Sequence, residues 1–88
     1  MPKVKTMKSR TYLIQATWDN DAKMWVAESD DIPGVVAEAE DQETLRRKLA
    51  SLIPEMIDLN NVAVDRTKPL DVVIRYSRED RISLPFAA

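Results

Sequence analysis

Apolar and polar residues alternate along four stretches of the chain, and this period of two predicts β-strands. The stretches are residues 11–18, 24–29, 35–39 and 70–76. The first two are joined by a short Asp- and Asn-containing segment typical of a turn, which predicts a hairpin. A further short edge strand is predicted at residues 82–84, since the proline that follows cannot donate to a ladder.

Between the third and fourth stretches the apolar spacing changes to that of a helix. Leucine, isoleucine and methionine recur every three or four residues over Gln42–Leu59, which predicts one amphipathic helix. Asp41 is the predicted N-cap, and the asparagines at 60–61 are predicted to end the helix. Because Pro54 removes a backbone hydrogen bond inside this segment, we predict a kink near residues 50–54 or a split into two helices.

The order β-β-β-α-β predicts an α+β domain with one helix packed on a three- to four-stranded, mostly antiparallel sheet. Eighty-eight residues suffice for one small domain. We assign residues 11–88 to it and residues 1–10 to a basic, flexible tail.

One helix covers only one face of such a sheet, yet the first two strands carry apolar residues on both faces. Leu13 is followed by Ile14, and Trp25 by Val26. We therefore predict a homodimer or higher homo-oligomer, with Trp18 and Leu13 at its interface. The alternative is that the tryptophan closes the edge of a small core.

A tight turn is predicted before the third strand. In the sequence Asp30-Asp31-Ile32-Pro33-Gly34, Pro33 presets the backbone at the second position of a β-turn. Gly34, the only glycine of the chain, supplies the positive φ of the third position in a type II turn. We assign both residues a structural role.

The composition excludes several kinds of chemistry. With no histidine and no cysteine, the chain has no disulfide, thiol nucleophile, Cys/His zinc site or histidine-based catalysis. A single glycine excludes glycine-rich phosphate loops. No apolar run is long enough to span a membrane, and no apolar segment of a secretory signal follows the basic start. We expect a cytoplasmic, non-enzymatic protein without a cofactor.

Two carboxylate groupings are candidates for a chemical site. Asp30 and Asp31 are adjacent, so in extended chain they point to opposite faces and do not converge on a substrate. The Asp19-Asn20-Asp21 run lacks the glycine and glutamate that a calcium loop requires further on. We therefore predict no catalytic residue and no metal site.

The net charge of −2 conceals an uneven distribution. Residues 19–43 carry nine acidic side chains and one lysine, a block that attracts a cationic partner or forms a solvated face. The basic tail predicts at most weak, non-specific contact with nucleic acid. Its cations are Lys3, Lys5, Lys8 and Arg10.

Four segments together resemble the HicB-like antitoxin domain, most closely its small stand-alone members of unknown function. The segments are Trp18, Met24-Trp25-Val26-Ala27, Asp31-Ile32-Pro33-Gly34 and Pro54-Glu55-Met56-Ile57-Asp58-Leu59-Asn60. The resemblance implies a bacterial protein with a partly RNase-H-like fold that oligomerises. It also implies a toxin–antitoxin system, in which the antitoxin covers HicA, a small basic mRNA-cleaving toxin. Residues after Tyr76 lack the pattern of the DNA-binding segment that many full antitoxins carry.

We therefore predict an antitoxin module that neutralises a HicA-type toxin through an acidic surface. The predicted partner-binding residues are Asp30, Asp31, Glu38, Glu40 and, as an apolar anchor, Trp25. The alternative is an orphan oligomeric HicB-like scaffold or regulatory protein with no toxin partner.

Overall fold

The computed structural model describes residues 10–86 and contains one helix and four strands in the predicted order. The elements are β1 (Thr11–Asp19), β2 (Met24–Glu28), β3 (Val36–Ala39), α1 (Gln42–Leu59) and β4 (Asp71–Ser77). The strands form one sheet in the order β3-β2-β1-β4. The predicted α+β class, with one helix on a four-stranded sheet, is confirmed.

The sheet is mixed because α1 carries the chain across it. β1 pairs antiparallel with β2, and β2 pairs antiparallel with β3. The helix then leads from the edge strand β3 to the opposite edge, where β4 pairs parallel with β1. A parallel pair needs a crossover of this kind, since a tight turn joins only antiparallel neighbours.

The ends of α1 are fixed by local side chains. At the start, the Thr44 N–H and hydroxyl both donate to the Asp41 carboxylate, at 2.7 and 3.0 Å. At the end, Asn61 has a φ of +52° and the Val62 N–H donates to the Ile57 carbonyl at 3.0 Å, as in a Schellman motif. The helix runs unbroken through Pro54, so of the two predicted alternatives, a kink or a split into two helices, the split is wrong.

The core lies between α1 and the β2–β3 side of the sheet. Small residues line the sheet beneath the helix, where Ala27 pairs with Ala16 on one side and Ala37 on the other. This lets the helix approach closely and bury four aliphatic side chains. They are Leu45, Leu49, Ile53 and Ile57. The inward-facing residues of β4 are only half-buried, since α1 lies over the other half of the sheet.

The predicted strand at residues 82–84 is not formed. Residues 78–86 are exposed and join no strand of the sheet. The other strand limits differ from the predictions by one residue, with β4 at Asp71–Ser77. The predicted flexible tail lies, apart from Arg10, outside the described residues.

Candidate partner-binding face

The sheet face opposite α1 is not covered by any other element of residues 10–86. Paired residues project to the same face, so the strand register shows which side chains share it. We call this set the open face. It comprises Thr11, Leu13, Gln15, Thr17, Asp19, Met24, Val26, Glu28, Val36, Glu38, Asp71, Val73, Arg75 and Ser77.

Aliphatic side chains lie within the open face, some half-buried and others exposed. Leu13 and Val26 are half-buried, and Val73, which pairs with Leu13, is 44% exposed. Val36 on the edge strand is 69% exposed. An exposed sheet surface with several aliphatic residues is suited to contact with another protein.

Carboxylates outnumber cations on the open face. Asp19, Glu28, Glu38 and Asp71 are all exposed there, against the single guanidinium of Arg75. Within the described residues, Asp19, Glu28 and Glu38 have no basic group within 4.0 Å. The face therefore presents a negative potential to solvent.

Asp31 does not extend this negative surface, because its carboxylate is hydrogen-bonded to the backbone of β1. The Leu13 N–H donates to Asp31 Oδ2 at 2.7 Å. The Ser29 hydroxyl donates to the Leu13 carbonyl at 2.7 Å and accepts from the Asp31 N–H at 3.1 Å. These two side chains satisfy the backbone of Leu13 just beyond the last paired residue of β2. Asp31 is thus a structural residue that fixes the backbone of β1 at Leu13. Its other carboxylate oxygen lies 3.5 Å from the guanidinium of Arg10.

The other predicted acidic residues do not form one cluster. Asp30 is exposed two residues after β2 ends at Glu28. Glu28 pairs with Val36, and Glu38 lies on the open face two residues beyond Val36, about 7 Å farther along β3. Glu40 is exposed just after β3. The Lys48 ammonium donates to the Glu38 carbonyl at 2.8 Å, so a cation borders the face at this edge.

Sequence reasoning did not select Glu28 or Asp19 as partner-binding residues, although both lie on the open face. The signal was present in the alternation of β2. Glu28 and Val26 point to one face of β2, and Trp25 points to the other. The alternation alone does not show which of these two faces the helix covers.

Trp25, the predicted apolar anchor, points to the core rather than to the surface. It is 6% exposed, and its ring meets Trp18 and Tyr76 edge-on at centroid distances of 5.4 and 5.2 Å. Burial in this group also raises the pKa of Tyr76. On the helix side of the sheet, Trp25 pairs with the aromatic Trp18 and the small Ala39, and its ring therefore lies in the core. The open face does not include it.

Trp18 closes the edge of this aromatic group. It is half-buried, and the Arg78 guanidinium lies 4.5 Å above its ring centroid. Trp18 is on the helix side of β1 and Leu13 is on the open face, so the two predicted oligomer residues are on opposite faces of the sheet.

The turn at Pro33 and Gly34 fixes the entry to β3. Gly34 has a φ of +81°, and the Val35 N–H faces the Ile32 carbonyl at 3.4 Å. A Cβ on Gly34 would lie 2.8 Å from Met56 Sδ. The Asn60 side-chain amide donates to the Pro33 carbonyl at 3.1 Å, which joins the turn to the end of α1.

Metal-binding clusters and membrane-spanning helices are both absent from the described part of the chain. Residues 10–86 contain no group of three or more carboxylates placed to hold a metal ion. Over the same range, no helix combines the length and apolarity needed to cross a membrane.

Comparisons with known proteins find relatives without an assigned function. Residues 11–83 match the model of DUF1902, a domain of unknown function. The chain is also similar to the crystal structure of hypothetical protein TTHA1013 from the extremely thermophilic bacterium Thermus thermophilus. The two are 41% identical, and the match covers 85% of this chain and 100% of that one, with a TM-score of 0.65. No functionally curated protein matches. Neither relative is named as HicB-like, so that resemblance stays a prediction.

Proposed function

The chain belongs to the DUF1902 family, and from this premise we propose that it is a cytoplasmic, non-enzymatic antitoxin module. In this proposal the open face covers the active surface of a small basic toxin of the HicA type. The observation that carries the proposal is the uncovered, negative sheet face, where carboxylates lie beside partly exposed aliphatic side chains.

Charge favours a cationic partner. The open face carries four carboxylates and one guanidinium, and within residues 10–86 Asp19, Glu28 and Glu38 form no ion pair. Such a surface accelerates encounter with a basic protein and repels nucleic acid. The same potential disfavours RNA on this face, so a protein that itself binds RNA is the better fit.

The aliphatic residues supply the other part of an interface. Leu13 pairs with Val73 on the edge strand β4, Val26 pairs with Glu38, and Glu28 lies on the inner strand β2. Aliphatic and acidic side chains are thus interspersed across the face, and protein–protein contacts combine apolar and polar area in this way. We assign the aliphatic residues to affinity and the carboxylates to selection of a basic partner.

The test is coexpression with a small basic toxin encoded beside this chain, with growth and copurification as readouts. We expect the wild-type chain to restore growth and to copurify with the toxin. The double variant Glu28→Gln/Glu38→Gln should weaken binding about tenfold, on the basis of roughly 0.2–1 kcal/mol for each exposed charge contact. That loss should shrink as salt is raised, because the charges are exposed.

A matched control removes two carboxylates from the helix instead. Glu43→Gln/Glu55→Gln changes the net charge equally but leaves the open face intact. We expect it to bind the toxin within about twofold of wild type, since charges outside a contact change affinity little. Equal weakening by both double variants would show that net charge acts, not this face. No binding to any such toxin would leave an oligomeric scaffold as the function.

A further inference from the structure

The alternation of β4 is interrupted by four charged residues, 78–81, and resumes at residues 82–86. We call residues 78–86 the C-terminal arm. Even-numbered positions are apolar in β4 at Val72, Ile74 and Tyr76, and again in the arm. The arm positions are Ile82, Leu84 and Phe86, which are 72, 75 and 100% exposed. The even-numbered positions are thus apolar at both ends of the segment and charged at Arg78 and Asp80 between them, and the last three apolar side chains are exposed.

β4 itself lacks a neighbour on its outer side. It is the last strand of the sheet, and no strand within residues 10–86 pairs with its free edge. Its apolar residues are only half-buried on the helix side. A seven-residue edge with exposed backbone groups is a template for another strand.

The arm does not turn back onto its own β4. Ser77 pairs with Thr17, and the Arg78 guanidinium lies over the ring of the next β1 residue, Trp18, at 4.5 Å. The chain therefore leaves the sheet in the direction of β4. A two-residue hairpin turn needs positive φ values, and no residue of the arm has one.

We propose that the arm binds the free edge of β4 in a second copy of this chain. The two copies are related by a two-fold axis at Glu79, and residues 72–86 of each run antiparallel to the same residues of the other. Each sheet then gains a fifth strand from the other copy. The facing pairs are Val72 with Phe86, Ile74 with Leu84, Tyr76 with Ile82, and Arg78 with Asp80.

The pattern of side chains selects this register. A shift by one residue would move the arm's apolar side chains to the opposite face. A shift by two would place Ile82 opposite Arg78, or Asp80 opposite Tyr76. Only the proposed register pairs apolar with apolar residues and also places a carboxylate opposite the cation at position 78.

The charges near the axis are consistent with the pairing. Within the described chain, no carboxylate lies within 4.0 Å of Arg78, and the second copy's Asp80 would supply one. The two Glu79 side chains face each other at the axis on the solvent side, and this like-charge pair opposes the pairing. Arg81 of the other copy lies diagonally beside each of them, within reach of a long side chain, and offsets this repulsion.

The first test uses the absence of cysteine from the chain. In Glu79→Cys, the two thiols face each other across the axis at a Cα separation of about 4.5–5.5 Å, which suits a disulfide. We expect mild oxidation to give a covalent dimer. In the control Ser83→Cys, the two sites lie about 26 Å apart along the ribbon, so no such dimer forms. Equal cross-linking of both variants, or of neither, would overturn the proposal.

The second test measures assembly of the full chain by analytical ultracentrifugation. We expect a dimer, and we expect Ile82→Ser/Leu84→Ser/Phe86→Ser to weaken it by at least about a hundredfold. The control Leu59→Ser, at an exposed apolar residue on the helix, should leave the dimer intact. A wild-type chain that stays monomeric at about 100 µM, or a dimer insensitive to the arm substitutions, would refute the proposal.

A charge exchange tests the register itself. Arg78→Asp and Asp80→Arg each place like charges opposite one another, so each variant alone should dimerise about tenfold more weakly. Mixing the two variants restores opposite charges at both sites, and we expect heterodimers to form in preference. Failure of the mixture to recover affinity would rule out this register.

Discussion

Removing the Asp31 carboxylate should destabilise the fold. Asp31→Ala deletes the acceptor of the Leu13 N–H, a 2.7 Å bond from a half-buried backbone group. A hydrogen bond to a charged group contributes about 1.5–3 kcal/mol. The Arg10 contact is longer, at 3.5 Å, and its guanidinium is exposed, so it adds little. We therefore expect the free energy of unfolding to fall by about 2 kcal/mol.

That loss is large for this chain. At about 0.05–0.15 kcal/mol per residue, the whole domain is stable by roughly 4–13 kcal/mol. Urea unfolding followed by circular dichroism measures the change through the shift of the midpoint at constant slope. Asp31→Asn keeps an oxygen that accepts from Leu13, so we expect it to recover more than half of the loss.

The adjacent Asp30 is the matched control. It is exposed and makes no hydrogen bond through its side chain within the described structure, so Asp30→Ala should lie within about 0.5 kcal/mol of wild type. Ser29→Ala should couple to Asp31→Ala, because the Ser29 hydroxyl contacts both the Leu13 carbonyl and the Asp31 N–H. Equal effects at positions 30 and 31 would show that the Asp31–Leu13 hydrogen bond does not contribute this stability.

Three further predictions concern the turn and the helix. Gly34→Ala should lower the free energy of unfolding in urea by about 1–2 kcal/mol, since φ is +81° and the new Cβ would lie 2.8 Å from Met56 Sδ. A decrease of less than about 0.5 kcal/mol would contradict this. Pro54→Ala should raise the free energy of unfolding by about 1–2 kcal/mol in the same assay, because it restores a helical hydrogen bond at an exposed site. An unchanged free energy of unfolding would argue against this. Hydrogen bonds from Thr44 lower the pKa of Asp41 below 3.8, so its stabilisation is complete above that pH and is lost on further acidification. Asp41→Asn should flatten the acid side of the stability profile, and an unchanged profile would contradict this.

The sequence predicted those features that depend on neighbouring residues. The helix limits followed from Asp41 at one end and the asparagines at the other, and both ends are closed by local contacts. The positive φ of Gly34 followed from its place after Pro33. Each of these is decided within a few residues of chain.

Features that depend on distant residues were not predictable. Asp31 binds a backbone N–H eighteen positions earlier, and nothing in the local pattern indicates that partner. Trp25 and Val26 are both apolar, so alternation alone cannot show which one the helix covers. The composition of the open face also depends on the register between β4 and β1, which the crossover fixes.

In our proposal, the open face is the surface that binds the basic partner. The direct measurement is an NMR titration of the isotopically labelled chain with the toxin. We expect the amide signals of Leu13, Val26 and Glu38 to shift, and those of Arg46 and Leu59 on the helix to stay in place. Shifts confined to the helix, with the open-face signals unchanged, would show that the partner binds elsewhere.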